Sequence, residues 1–489
     1  MFRLLVEKEL KNIIQSPKFV ATFITCSILI LLSITIGINE YKNSVNQYNT
    51  AKSLNEQEMM QSRSWQGLSY KTYRKPNPMQ IFSAGVNYDI GRYAVVNHFN
   101  DVKMQNSDYS DDPIFAVFRF MDFTFIVTIV FSLFAILFTY NSINGEREGG
   151  TLRLVFSNNV PRATFISAKF VGSWLGLVVP LLIPILIGFL IVVIAGVPLT
   201  GEDWFKLSIL VLISLLYITF FSAFGIFISS LTRYASVSFL ILLVAWIALV
   251  FIIPHAGVMA ASQVIKVPSI AEVESQKDAY SKTKWDKHFN QLSSIWERRR
   301  NETQGMTEAE KQAYEDEKSY SWFEEEDKLR KSVEKEIADY SVRLNEELRN
   351  KQKVMEYLAL TISRFSPASS FQLASMNLGG TGIDLKNRYE NRIQEYKQNF
   401  LEYTDAKQKE NGNQAGMFRI SIDSDSGIKI SSGRSDGSLN TSEVPKFVDP
   451  DYTFAQALKP TIIDIGLLLL YSLMSYAGAF IAFLKYDLR

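Results

Sequence analysis

The chain has 489 residues, with 51 Lys and Arg against 50 Asp and Glu, and a formal net charge of +1. So even a balance produces no field that would draw nucleic acid, and no polyanion-binding role is expected. A single cysteine, Cys26, excludes an intrachain disulfide and any paired-cysteine metal or redox site.

The charges are unevenly spread. Six apolar runs, 19–38, 114–139, 170–197, 207–231, 235–254 and 461–484, contain only three charged residues, Arg119, Asp122 and Asp464. A helix needs ~20 apolar residues to cross the ~30 Å hydrocarbon core, and a helix satisfies its own backbone there. The predicted fold class is therefore a mainly α membrane protein with six transmembrane helices per chain. The first run exceeds the ~7–15 apolar residues of a signal peptide and is read as a retained span.

In chain order, residues 1–18 form an amphipathic helix with Phe2, Leu5, Leu10, Ile13 and Ile14 along one side. After span 1, segment 39–113 starts helical from Tyr41 to Met60 and turns to loop and strand around Pro76-Asn77-Pro78. Segment 140–169 joins spans 2 and 3, segment 255–460 joins spans 5 and 6, and 485–489 is a short tail. Arg3, Lys8, Lys11 and Lys18 precede span 1, and Arg147, Arg153, Arg162 and Lys169 follow span 2. Arg233 lies between spans 4 and 5, and Lys485 and Arg489 follow span 6. The positive-inside rule places these four segments and both termini in the cytoplasm, which leaves 39–113 and 255–460 extracytoplasmic.

The second outer segment begins with amphipathic helix over 270–355, where Trp285, Phe289, Leu292 and Trp296 recur every three or four residues. Gln304-Gly305 breaks it, and Thr307 with Glu310 reads as a capping box starting a second helix along Leu329, Val333, Ile337, Tyr340, Leu344 and Leu348. The expected shape is a long antiparallel hairpin. After Pro367 a Gly and Ser turn region, Gly379 to Gly382, precedes a helix near Arg388 to Tyr403. Alternation at Phe418, Ile420 and Ile422, and at Ile428 and Ile430, with Gly427 in the turn, predicts a β-hairpin. A mixed α+β extracytoplasmic domain built from both segments follows.

Chemistry-bearing motifs are absent. No G-x-x-x-x-G-K-[ST], H-E-x-x-H or G-x-S-x-G pattern occurs, and His98, His255 and His288 are far apart in sequence. No catalytic residue, no metal site and no cofactor are expected in this chain. The charges inside the apolar runs need partners, because an ion in hydrocarbon costs at least ~2.5–3.5 kcal/mol. Arg119 and Asp122 share a helix face, and Asp464 lies at a similar depth. They form either a substrate-facing polar cluster or a salt bridge between spans 2 and 6. Pro180 and Pro184 are expected to kink span 3.

The most informative stretch is Asn144-Gly145-Glu146-Arg147-Glu148-Gly149-Gly150-Thr151-Leu152, followed by Pro161, Arg162 and Lys169. Its glycines allow a sharp exit from span 2, and Thr151 is placed to cap a short helix reaching about Phe156. The E-R-E-x-G-T-L run resembles the first coupling helix of ABC-2 type permeases, the membrane subunits driven by separate ABC ATPases. Residues 1–17 resemble that family's interfacial connecting helix, and the likeness spans essentially the whole chain. Within the family the chain is similar to the large-loop group carrying the DUF3526 domain, often grouped with permeases of copper-enzyme maturation. Asp122, 78–85, 366–369, 380–382 and 483–489 carry that finer likeness. Gly149 stands where many relatives have an acidic or polar residue.

The resemblance implies a bacterial inner-membrane permease, as a homodimer or paired with a related permease, with two ATPase subunits that hold ATP and magnesium. Glu146, Arg147, Glu148, Gly150, Thr151, Leu152, Pro161 and Arg162 would carry the coupling. The expected activity is export or extraction of a lipid-linked, lipoprotein or peptide substrate, with a lipoprotein or other extracytoplasmic partner at the outer segments. The alternative is a non-transporting transducer that senses through its outer domain.

Overall fold

A computed structural model describes residues 1–62, 64–65, 67–98, 102–107, 121–158, 160–410, 418–423, 427–432 and 439–485. The chain divides into two compact units, Met1–Ile252 with Ser366–Arg489, and Ile253–Phe365. Among the described residues, six helices are long and apolar enough to cross a membrane: Pro17–Met60, Phe123–Glu148, Arg162–Ile194, Gly201–Leu231, Ala235–Val264 and Phe454–Leu484. The protein is a mainly helical, multi-pass membrane protein.

The helices begin upstream of their apolar runs wherever a cap precedes the run. Ser16 caps span 1 by accepting from Phe19 N at 3.2 Å, with Pro17 at the first helical position. Thr200 with Asp203, and Thr453 with Gln456, form capping boxes that start spans 4 and 6. Span 1 then continues to Met60, so the helix expected from Tyr41 is the same helix. At 1.5 Å per residue its 44 residues measure about 66 Å, more than twice the ~30 Å hydrocarbon core. Span 2 departs the other way. Its helix starts at Phe123 with Asp122 as N-cap, and 114–120 lie outside the described residues. A π turn at Val127–Phe131 interrupts its ladder, and the Thr128 carbonyl accepts the Tyr217 hydroxyl of span 4 at 3.0 Å. Span 5 carries a second π turn at Ala248–Ile252. Pro180 and Pro184 both lie inside the continuous helix of span 3.

Small residues let the spans approach. A Cβ on Gly225 of span 4 would collide with Thr139 of span 2, and one on Gly172 of span 3 would lie 2.7 Å from the Glu9 Cβ. Spans 4 and 6 also enclose a short helix, Pro367–Gly379, whose Phe371 stacks on Tyr217 with centroids 4.8 Å apart. Ser366 caps it and Pro367 stands at its first position. The expected turn follows it at Gly380–Gly382, with Gly380 at φ +66°.

The same unit holds an α+β subdomain built from both long segments. Strands β1 (Tyr70–Tyr73) and β2 (Tyr93–Val96) pair antiparallel, with Thr72 opposite Ala94. Leu385, Tyr389, Ile393, Tyr396 and Phe400 line one stripe of helix Asp384–Glu410 and join Leu68, Tyr70 and Val96 in one apolar core. Strands β3 (Phe418–Asp423) and β4 (Gly427–Ser432) form the expected hairpin, with Ile420 opposite Ile430. Gly427 is the first ladder residue of β4 and not a turn residue, and 424–426 lie outside the described residues.

The second unit is the helical hairpin, Ile270–Glu302 and Glu308–Ser363. Gly305 takes φ +97° in the turn, and Thr307 with Glu310 forms the predicted capping box. Tyr280 stacks on Tyr340 at 3.9 Å, Lys284 pairs with Glu336, and Arg299 lies over Trp322. Partner numbers fall as the first helix advances, so the helices are antiparallel. Lys277 is buried, and most of the other charges here are exposed, where ion pairs contribute ~0–1 kcal/mol each.

Candidate functional site

The chain leaves span 2 through a short helix, Asn144–Glu148, turns at Gly149-Gly150, and forms a second short helix, Thr151–Ser157, before span 3 starts behind Pro161. Gly150 takes φ +68°, and a Cβ there would meet nothing within 4 Å. Its glycine therefore answers the left-handed backbone and not a lack of space. Thr151 does not cap this helix as expected. Gly150 occupies the cap position, and the Thr151 hydroxyl donates to the Glu146 carbonyl at 3.2 Å, tying the two short helices together.

Several positions of the motif are anchored, each to a different element. The Ser229 hydroxyl of span 4 accepts from Ile143 N at 3.1 Å, and Asn144 Nδ2 donates to Thr232 Oγ1 at 3.0 Å. The Glu148 carboxylate accepts from Ala235 N at 2.9 Å, at the positive start of span 5. Leu152 is 3% exposed, in an apolar cluster with Ile143, Phe165, Ile226 and Phe483. Arg162 donates to the Leu484 carbonyl at the end of span 6, where a cation suits the helix dipole.

Glu146 carries the main electrostatic link. Lys169 of span 3 lies 2.6 Å from the Glu146 carboxylate and 2.7 Å from that of Glu9 on the N-terminal helix Phe2–Ile14. All three side chains are at most 14% exposed, and Lys8 approaches Glu146 at 3.9 Å. Glu9 and Ile13 of that helix pack onto Gly172 and Gly176 of span 3, one turn apart. Phe2 and Ile14, on the apolar side of that helix, are over 40% exposed, as suits the apolar face of an interfacial helix. A cavity of about 510 Å³ opens between the N-terminal helix, the end of span 2 and Glu146.

What the segment leaves exposed is a compact patch. Glu148, Thr151, Arg153, Ser157, Asn158 and Pro161 face outward with Leu154, which is 66% exposed. Arg147 is half-buried. Glu146 thus faces inward and braces the segment, while Arg153 and Leu154, which sequence reasoning passed over, hold the outward face. Their signal was helical phase, since Leu152 and Phe156 fix the inward side.

At the opposite end of span 2, Asp122 is bound by backbone. Its Oδ1 accepts from Phe125 N at 2.7 Å and its Oδ2 from Ala84 N at 2.8 Å. Segment 78–85 in turn meets 380–382: Thr381 Oγ1 donates to Ser83 O at 2.9 Å, and Gly85, at φ +53°, abuts the Thr381 carbonyl. Asp122 is therefore a helix cap that pins this junction. Asp464 is fully buried on span 6, and Arg119 lies outside the described residues.

Six spans, an inward-braced pair of short helices after span 2 and an amphipathic N-terminal helix packed on span 3 define a multi-pass permease-like membrane protein. Residues 3–488 match the model of a family described as ABC-2 family transporter protein. The chain belongs to that family: it is a transmembrane permease of an ABC transporter, a class that works with an ABC ATPase subunit and is not generally catalytic itself. No curated protein matches the sequence.

Proposed function

We propose that this chain belongs to the large-loop, DUF3526-bearing group and serves as the permease of an exporter or extractor of a lipid-linked, lipoprotein or peptide substrate. It works as a homodimer or with a related permease in a bacterial inner membrane, with both termini cytoplasmic. Two ATPase subunits, which hold ATP and magnesium, grip the patch around Arg153 and Leu154. Their closure is passed on through Glu146 and Lys169 to the N-terminal helix and span 3, through Asn144 and Glu148 to spans 4 and 5, and through Leu152 and Arg162 to span 6. The observation that carries this reading is the set of separate anchors on so short a segment. A connection that only joined two spans would not need them.

The hairpin is the element assigned to substrate or to an extracytoplasmic partner. Replacing 270–355 by a short Gly/Ser linker keeps Gly257 against Ser363 at its base. That variant, reconstituted with its ATPase, is expected to retain basal ATP hydrolysis and to lose ATP-dependent substrate movement. Movement equal to the parent's would show that these helices are solvated spacers. ATPase stimulation by an outer ligand without any movement would favour the transducer reading.

A further inference from the structure

The cavity of about 510 Å³ beside Glu146 has the volume of a small-molecule site. The N-terminal helix and three spans wall it, and each span changes character along the same direction. The start of span 1 gives Ser16 and Lys18 to the cavity, and then Phe19 and Phe23 to a second, apolar hollow. Span 2 gives Asn141 and Ser142 to the first, and Phe138, one turn deeper, to both. Span 3 gives Lys169 to the first and, further along, Leu177 and Leu181 to the second. The second hollow measures only about 10 Å³, room for one water at most, so it is no chamber; it marks where the walls turn apolar. In a membrane-spanning chain that level is the boundary between lipid headgroups and acyl chains.

The cavity's donors are accessible and unspent. Lys8, Asn12 and Lys18 are exposed, and Asn141 is half-buried. Lys18 gives one hydrogen to the Tyr140 hydroxyl at 3.0 Å and lies 4.8 Å from the centroid of that ring, which holds its ammonium at the boundary. Two of its hydrogens remain, and among the described residues it has no acidic partner. Lys8 approaches Glu146 only at 3.9 Å, beyond hydrogen-bond distance. Asn12, one turn from Lys8, and Asn141 bring side-chain amides that make no hydrogen bond among the described residues. The acids of the wall, Glu9 and Glu146, are both engaged by Lys169, at 2.7 and 2.6 Å. An anion entering here therefore meets two ammonium groups and two amides, and every carboxylate nearby already holds a cation.

We propose that an anionic phospholipid, from the leaflet on the side of the N-terminal helix, seats in this cavity. Its phosphate lies between Lys8 and Lys18, its headgroup oxygens reach Asn12 and Asn141, and its acyl chains run along Phe19 and Phe23, which stack with ring centroids 6.2 Å apart. A free phosphate or an acidic side chain of a partner protein could use the same lysines, but neither has a use for the apolar wall that continues from them. Only the membrane placement of the spans is needed for this site, so it stands apart from the transport reading.

The full chain, stripped of lipid in a non-ionic detergent, is titrated with phosphatidylglycerol, phosphatidylcholine, glycerol 3-phosphate and inorganic phosphate, and followed by thermal unfolding and native mass spectrometry. Phosphatidylglycerol is expected to raise the melting temperature saturably and to stay bound in the gas phase, and phosphatidylcholine to do neither. The two soluble phosphates should bind at least about tenfold more weakly, since they lack the chains. Lys8→Gln with Lys18→Gln, both at exposed positions, is expected to fold, to melt near the parent's temperature without lipid, and to weaken phosphatidylglycerol binding by about 10- to 100-fold. Arg3→Gln with Lys11→Gln removes the same charge from outside the cavity, so a general attraction of cations to anionic lipid would fall equally in both double variants. The site predicts instead that this second pair binds like the parent. Equal stabilisation by phosphatidylcholine, equal loss in the two double variants, or soluble phosphate binding as tightly as the lipid would each overturn the assignment. Loss of ATPase association in the Lys8 and Lys18 variant, with phosphatidylglycerol binding unchanged, would give these lysines to the ATPase and overturn it as well.

Discussion

Lys169→Met is expected to destabilise the protein by about 3–5 kcal/mol, because it leaves the carboxylates of Glu9 and Glu146 buried against each other without their cation. Methionine matches the lysine stem in length, so the loss is one of charge and not of packing. The effect should be seen as a lowered melting temperature in detergent and as protease sensitivity at the N-terminal helix, which would lose its strongest polar tie to span 3. A triple variant, Glu9→Gln with Glu146→Gln and Lys169→Met, removes every buried charge of the group. It should recover much of the lost stability, since exchanging a whole buried ion cluster for neutral groups is far less harmful than breaking it. Recovered stability without recovered coupled ATP turnover would separate the transmitting role of the cluster from its structural one. A Lys169→Met protein as stable as the parent would mean that the brace contributes nothing.

The second large effect concerns orientation and is all or none. By the positive-inside rule, the Lys and Arg of four separate segments predict Ser157 in the cytoplasm and the hairpin outside. Ser157 and Ser293 are both exposed. In a Cys26→Ala background, Ser293→Cys should react with an impermeant thiol reagent on intact cells, and Ser157→Cys only after the membrane is opened. Cys26 is fully buried in span 1, so its removal costs little reactivity background. Labelling of the Ser157→Cys variant on intact cells would reverse the topology.

Much of the fold is legible in local signals. Long apolar runs mark the six spans, and Thr307 with Glu310 marks the start of the longest described helix. The span starts are less legible because polar caps such as Thr200 and Thr453 lie outside the apolar windows. The helix Pro367–Gly379 carries a start signature in Ser366-Pro367, but its serines and glycines mimic a turn when its burial between spans 4 and 6 is unseen. The coupling segment is recognisable as a motif, whereas its internal wiring is not. Glu9, Glu146 and Lys169 are brought together only by the packing of Gly172 and Gly176 against the N-terminal helix. Asp122, a charge inside an apolar run, caps the helix that begins after it, a role that its place in the run does not announce.

The central claim, that the face of Thr151–Ser157 receives the ATPase, is tested most directly by co-purification of the reconstituted pair with Leu154→Asp. Burying one leucine contributes about 1.5–3 kcal/mol, and an unpaired carboxylate in its place adds to the loss. ATPase association should therefore fall by at least about tenfold, with the permease still folded and inserted. Val342→Asp, at an apolar position of the hairpin that is also more than half exposed, should leave association unchanged. Full retention of the ATPase by the Leu154→Asp protein would contradict the account.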